Sequence, residues 1–285
     1  MSNIIEAIIN LVSNPQFELK RYSDSNNRAN NMGGALEEYV KDLFAGTVGE
    51  KDEKLRNRKL SEVFSYLGNQ NNPPDSIVRG QDAIEVKKIM NNDAALALNS
   101  SYPKSKLYSN SPMISNACKN CEDWTVKDMI YIVGVVHGEK LKSLCMVYGE
   151  DYCADMETYE KVKNVIKSGV EGIDGVEFAP TRELGRVNRI DPLGITYLRV
   201  RGMWGIENPF NVFNYIYTRD RNSDFNFMAI INEDNYQQLH NSHKLEDMCQ
   251  HINGLDVENV EIKDPNNPAN LKKARLITFF YKEKC

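Results

Sequence analysis

A chain of 285 residues with 41% hydrophobic and 26% charged side chains can bury a sizeable core and has the make-up of an ordinary globular protein. No apolar run nears the roughly 20 residues that span a bilayer. The N-terminus, Met1 to Glu6, lacks the basic start and apolar stretch of a signal peptide, so a soluble, cytoplasmic protein is expected. A net charge of −5 excludes indiscriminate coating of nucleic acid, because phosphate affinity comes from basic surface, but it leaves room for one local basic patch.

There is no internal repeat, low-complexity tract or Gly/Pro/Ser-rich linker, so one domain over 1–285 is expected. Ile4 to Leu11 predicts a short helix, followed by a polar segment, Ser23 to Asn31. Ala35 to Phe44 predicts a helix with Leu36, Val40, Leu43 and Phe44 on one apolar stripe. Residues 60–67 predict a helix or strand feeding a turn at Asn69–Pro74. Two short strands follow, around Ile77 and over Ala83–Lys88, joined by Arg79-Gly80-Gln81-Asp82. Met129 to Val136 is apolar on both faces and predicts a central buried strand, paired with Leu141–Tyr148 through a turn at His137-Gly138. A helix over 155–167 precedes strands at 195–201, 225–231, 256–262 and 275–281, with helices near 233–240 and 244–251. The mixture is an α/β or α+β pattern built on a central mixed sheet.

The segment that carries chemistry is Pro73-Pro74-Asp75, followed ten positions after the aspartate by Glu85-Val86-Lys87. Phosphodiester hydrolysis needs a cation to neutralise the phosphate and lower the pKa of the attacking water. Mg2+ is satisfied by one or two carboxylates and keeps several waters. A nearby lysine can orient or deprotonate that water, or offset charge in the transition state. Asp75, Glu85 and Lys87 therefore make a minimal hydrolytic site. In Ala83–Lys87 the period of two sends Glu85 and Lys87 to one face and Ile84 and Val86 to the core. Bringing Asp75 to the polar face calls for a register in which 75 lies opposite 87, through a three-residue connection Gly80-Gln81-Asp82 or an equivalent bulge. A two-residue loop would set it opposite Val86 and turn it inward. Upstream, Gly33, Glu37, Val40 and Phe44 lie near one helix face, which makes Glu37 the candidate accessory carboxylate; Glu38 falls with Lys41 and Asp42 on the wetter side.

Two further segments are suited to DNA. Asn99, Ser100, Ser101, Lys104 and Lys106 sit in one short loop and can donate to phosphates or base edges. Arg182 to Arg201 holds five arginines against Glu183 and Asp191; among them Arg186, Arg189, Arg199 and Arg201, with Asn188, are candidate base readers, since arginine makes bidentate contact with guanine. Arg199 and Arg201 should leave one strand face together. Cysteines stand at 118, 121, 145, 153, 249 and 285, and in a cytoplasmic chain are expected as reduced thiols. Cys118-Lys-Asn-Cys121 has zinc-ligand spacing but no second pair follows, and His240-Asn-Ser-His243 with His251 reads as a solvated polar loop.

With these residues placed, the chain resembles the NgoPII family of type II restriction endonucleases. The resemblance runs through Ser25–Asn30, Ala35–Phe44, Asn72–Asp75 with Ala83–Lys88, Ala97–Ser101, Leu184–Pro192 and Tyr197–Pro209. It implies the PD-(D/E)xK nuclease fold, with the active site at the edge of a central mixed sheet flanked by helices. It implies a catalytic core over about 30–150, recognition elements over about 180–235, and the Val86 carbonyl as a further metal ligand beside Asp75 and Glu85. It also implies double-stranded GGCC as target and a cognate DNA methyltransferase in the same system. A palindrome presents two identical half-sites, so a two-fold symmetric homodimer is expected. Asn72-Pro73-Pro74-Asp75 is also similar to the Asn-Pro-Pro-aromatic motif of DNA amino-methyltransferases, but aspartate cannot stack on a flipped base and no Gly-rich nucleotide turn follows a first strand. The alternative is a sequence-specific DNA-binding protein without nuclease activity, which would not need a carboxylate pair beside a lysine.

Overall fold

The computed structural model describes residues 2–19, 28–69, 72–99, 101–181 and 183–283. Helix α1 (Ile4–Ser13) starts where the Asn3 side chain accepts from the Glu6 amide, and it buries Ile4, Ile5, Ile8, Leu11 and Val12. Helix α2 (Arg28–Ala45) carries the expected stripe, with Leu36, Val40, Leu43 and Phe44 all buried. Helix α3 (Glu53–Val63), capped by Asp52, runs straight into β1 (Phe64–Tyr66), so 60–67 is helix and then strand. Strands β2 (Ser76–Val78) and β3 (Ala83–Ile89) follow, then β4 (Leu96–Asn99), β5 (Lys106–Tyr108) and the short α4 (Asn116–Lys119). The long hairpin β6 (Val126–His137) and β7 (Lys140–Tyr148) leads to α5 (Gly149–Tyr152) and α6 (Met156–Glu171). Next come β8 (Glu177–Phe178), β9 (Gly185–Asn188), β10 (Leu198–Val200), β11 (Trp204–Ile206) and α7 (Pro209–Val212). The chain closes through β12 (Phe225–Asn232), α8 (Glu233–Gln238), α9 (Ser242–Cys249), β13 (Leu255–Lys263) and β14 (Leu271–Tyr281).

The main sheet has the order β1-β2-β3-β6-β7-β12-β14-β13, with β5 also paired to β6. It is mixed as expected: β3 is parallel to β6 and β7 to β12, while the other neighbours are antiparallel. Strand β6 sits inside the sheet and feeds both faces. Ile130 and Ile132 join α1, α2 and α9 in one core, and Met129, Tyr131, Val133 and Val135 join Phe210, Phe213 and Tyr152 in the other. A separate three-stranded sheet, β10-β9-β8, and a pair, β11-β4, lie off this frame. Among the described residues, no helix is long and apolar enough to cross a membrane.

Part of α2 departs from the sequence reading. Lys41 and Asp42 are buried rather than wet, because α3 covers that side and Arg56 bonds both Glu38, at 2.7 Å, and Asp42, at 2.8 Å. The polar segment Ser23 to Asn31 falls largely outside the described residues.

Candidate active site

The first two site residues meet across the β2–β3 hairpin. Pairing of Ser76 with Ile84 and Ile77 with Ala83 sets Asp75 opposite Glu85, not opposite Lys87 as the sequence reading had it. The connection is three residues long but lies one position earlier: Val78 N donates to the Asp82 carbonyl at 3.0 Å, leaving Arg79-Gly80-Gln81 as the loop. The cause is what grips the turn. Gly80 takes a φ of +68°, Arg79 donates to the Ser61 and Phe64 carbonyls, and Asp82 is drawn inward to accept from the Tyr148 hydroxyl at 3.0 Å. A slip of two positions preserves side-chain parity, so Asp75, Glu85 and Lys87 still share a face while Ile84 and Val86 enter the opposite core.

Pairing with β2 ends at Ile84, and Asp75 occupies the freed edge of β3. Its amide donates to the Ile84 carbonyl at 2.9 Å, and its Oδ2 accepts from Val86 N at 2.7 Å. The N–H and C=O of one strand residue leave on the same side, so the Val86 carbonyl is directed to the edge that carries Asp75. Gly68 makes this approach feasible. With φ at +85° it runs against Asp75, and an added Cβ would stand 2.2 Å from the Asp75 carbonyl oxygen.

Asp75, Glu85 and Lys87 line a cavity of about 210 Å³ with Ser101, Lys104 and Tyr131. Lys87 Nζ donates to Glu85 Oε1 at 2.6 Å, whereas Glu85 Oε2 is buried with no hydrogen-bond partner among the described residues. Burial first, and then the neighbouring Glu85 charge, push the Asp75 carboxyl up to about 8. Burial alone would lower Lys87, but Glu85 and Asp75 outweigh it and hold the ammonium above its ordinary range. Glu37 does not line the cavity, yet its charge acts on Asp75 and Lys87, and burial raises its own carboxyl. An acidic pair with one orphaned buried oxygen and an ionisation that burial opposes is short of positive charge. That donor set of hard oxygens fits a divalent cation.

The remaining predicted residues divide. Ser101 and Lys104 enter the cavity, and the two side chains hydrogen-bond. Lys106 does not; it is neutralised by Asp128 at 2.6 Å and Glu150 at 3.3 Å. Asn99 pairs with Trp204 through β4 and β11, and Ser100 lies outside the described residues. Arg186, Asn188, Arg189, Arg199 and Arg201 stand outside the cavity on or beside the three-stranded sheet; Arg182 lies outside the described residues. Three of these arginines are paired with acids: Glu183 binds Arg199 at 2.6 Å and Arg201 at 2.7 Å, and Glu177 stands 3.3 Å from Arg189. Arg199 and Arg201 do share a side, since one carboxylate reaches both. Arg186 lies over the Tyr197 ring and bonds Asn188 at 3.3 Å.

The sequence reading missed Tyr131, which lies beside Glu85 in the β3–β6 register and whose hydroxyl accepts from Lys104 N at 2.7 Å. It also missed the cluster of Tyr102, Tyr159 and Trp204, with ring centroids 5.5 to 6.0 Å apart, which joins the cavity loop to α6 and β11. No local pattern marks either, because both depend on long-range pairing. Burial pushes the Cys118 thiol up to about 12, and His240, His243 and His251 are exposed.

Comparison with known proteins shows the family. Residues 2–263 match the NgoPII restriction endonuclease family. The chain is 59% identical over 278 residues to the type II restriction enzyme NgoPII of Neisseria gonorrhoeae, covering 97% of this chain and 99% of that protein. No solved structure matches.

Proposed function

The chain belongs to the NgoPII restriction endonuclease family and is a type II site-specific deoxyribonuclease, and from that premise we propose that it cuts both strands of double-stranded DNA at GGCC in a Mg2+-dependent reaction. Asp75, Glu85 and the Val86 carbonyl would hold the metal, with Glu37 as an accessory carboxylate. The observation that carries this reading is the acidic pocket short of one positive partner: Glu85 Oε2 orphaned and Asp75 resisting ionisation. The bound ion would supply charge neutralisation at the phosphate and a more acidic water. The chain's own residues prepare that step. Asp75 is held against the β3 edge by the Val86 amide and Gly68, Glu85 is aimed by Lys87, and the Lys87 ammonium orients water or offsets charge.

One domain serves both tasks in this proposal, with a catalytic core over about 30–150 and recognition over about 180–235. The exposed part of the latter, from β8 to β11, would carry Arg186, Asn188, Arg189, Arg199 and Arg201 to the bases, since β12 is buried in the sheet. A homodimer would supply one active site per strand of a palindrome. A cognate methyltransferase would protect host sites. A protein that only binds DNA would gain nothing from the strained carboxylate pair. Incubating unmethylated plasmid with the protein tests the proposal: discrete fragments in Mg2+ and none in EDTA support it, and their ends report the site. Intact plasmid with every divalent metal would overturn it.

A further inference from the structure

The cavity contains a lysine that the three-residue motif does not require. Lys87 is engaged by Glu85. Lys104, by contrast, makes no ion pair among the described residues; its Nζ donates to the Ser101 hydroxyl and stands 3.5 Å from the Tyr102 carbonyl and 5.6 Å from the Tyr102 ring centroid. All these partners are neutral. The amine is nonetheless close enough to Glu85 and Lys87 to feel both charges, and desolvation holds it below the ordinary lysine range.

The backbone beneath it is built to stay. Lys104 N donates to the Tyr131 hydroxyl, and Tyr131 is the β6 partner of Glu85. From the other side Gly149 lies so close that an added Cβ would stand 2.4 Å from the Lys104 carbonyl oxygen. A half-buried cation with only neutral partners costs stability, and chains keep such groups where a ligand supplies the missing charge. The anion that must enter this cavity is the substrate's phosphodiester. We propose that Lys104 is a second catalytic lysine, whose ammonium contacts a non-bridging oxygen of the scissile phosphate and offsets the charge that builds there during hydrolysis. The proposal rests on the nuclease reading above, and it separates Lys104 from Lys106, whose charge is already met.

The test uses the full-length protein and the duplex that the wild type is found to cut. Under single turnover in Mg2+, Lys104→Met should lose about a hundredfold or more in rate, as for removal of one preorganised oxyanion donor. Lys104→Arg should retain most of the rate. Binding in EDTA to a duplex carrying an uncharged methylphosphonate at the scissile position supplies a readout that a structural role would not move. That substitution should weaken wild type about tenfold and leave Lys104→Met unaffected, while neutralising an adjacent phosphate should weaken both alike. Without DNA, Lys104→Met should melt no lower than wild type, because it removes an uncompensated charge. Should Met prevent folding, Lys104→Gln, which keeps a donor for Ser101, takes its place in the same comparison. Cleavage by the variant within threefold of wild type, or equal sensitivity of both proteins to the scissile methylphosphonate, overturns the proposal. A wild type that cuts no DNA in Mg2+ overturns the nuclease reading instead.

Discussion

The cavity at β3 and the exposed sheet of β8 to β10 handle charge in opposite ways. In the cavity, charges are desolvated and unevenly matched: Glu85 Oε2 has no donor, Asp75 resists ionisation, and Lys104 has no counter-ion among the described residues. On the exposed sheet Arg189, Arg199 and Arg201 each have a carboxylate, and Glu183 serves two of them, which hold its carboxyl below the usual range. Desolvated mismatch is costly and points to partners that arrive with the substrate, a metal ion and a phosphate. Solvated pairing contributes little stability and is easily exchanged. If the arginines read bases as proposed, the ion pairs with Glu183 and Glu177 are ones that a docking duplex could replace at little cost.

The largest effect should come from removing a carboxylate in the cavity. Asp75→Asn or Glu85→Gln should reduce single-turnover cleavage by about a thousandfold or more, the equivalent of several kcal/mol of charge stabilisation, with DNA binding retained in a gel-shift assay. Loss of binding in parallel would mean that the cavity and the arginine sheet are not separate functions. The same Asp75→Asn change should raise the melting temperature in EDTA, and the pH dependence has a definite sign. The folded-state value lies above the unfolded 3.8, at about 8, so stability contributed by the protonated carboxyl is complete below 3.8 and is lost as pH rises to about 8. The advantage of the Asn variant should thus grow across that window and level off above it. A constant advantage at all pH values would show that Asp75 is not strained.

Next in size is Gly68→Ala. A side chain there meets the Asp75 carbonyl and occupies a positive φ, so Asp75 should be displaced and cleavage should fall by about a hundredfold, with a loss of stability of about 1–3 kcal/mol. Arg199→Ala and Arg201→Ala should weaken cleavage of the cognate site by about tenfold to a hundredfold and relax its sequence preference, if either reads a guanine; an equal loss on all sequences would assign them to phosphates. Smallest of all, Glu183→Gln should change cleavage and melting little, with rates within about threefold, because exposed ion pairs contribute little. A large loss would make Glu183 part of recognition rather than a resting partner for two arginines.

Local pattern was enough for what depends on a few neighbouring residues. The alternation in Ala83–Lys87 already separates Glu85 and Lys87 from Ile84 and Val86, because successive strand side chains point to opposite faces whatever the strand pairs with. The apolar run of β6 identifies a strand buried on both faces, and the stripe on α2, repeating at the 3.6-residue helical period, identifies its core side. The family resemblance rests on local blocks too. Other features escaped because distant segments determine them. Asp75 lies opposite Glu85, two places from the position that local pattern predicts, since register depends on how Arg79 and Asp82 are gripped by β1 and β7. The burial of Asp42 is invisible to local pattern because its cover, Arg56, lies on another helix. Lys104 and Lys106 look equivalent in sequence, two residues apart in one polar loop. Only the closing of that loop over Tyr131 and Gly149 sends one into the acidic cavity and leaves the other between two carboxylates. Periodicity decides which face a side chain takes; the company it finds there is set by loop closure and strand order, whose energetics no short window of sequence contains.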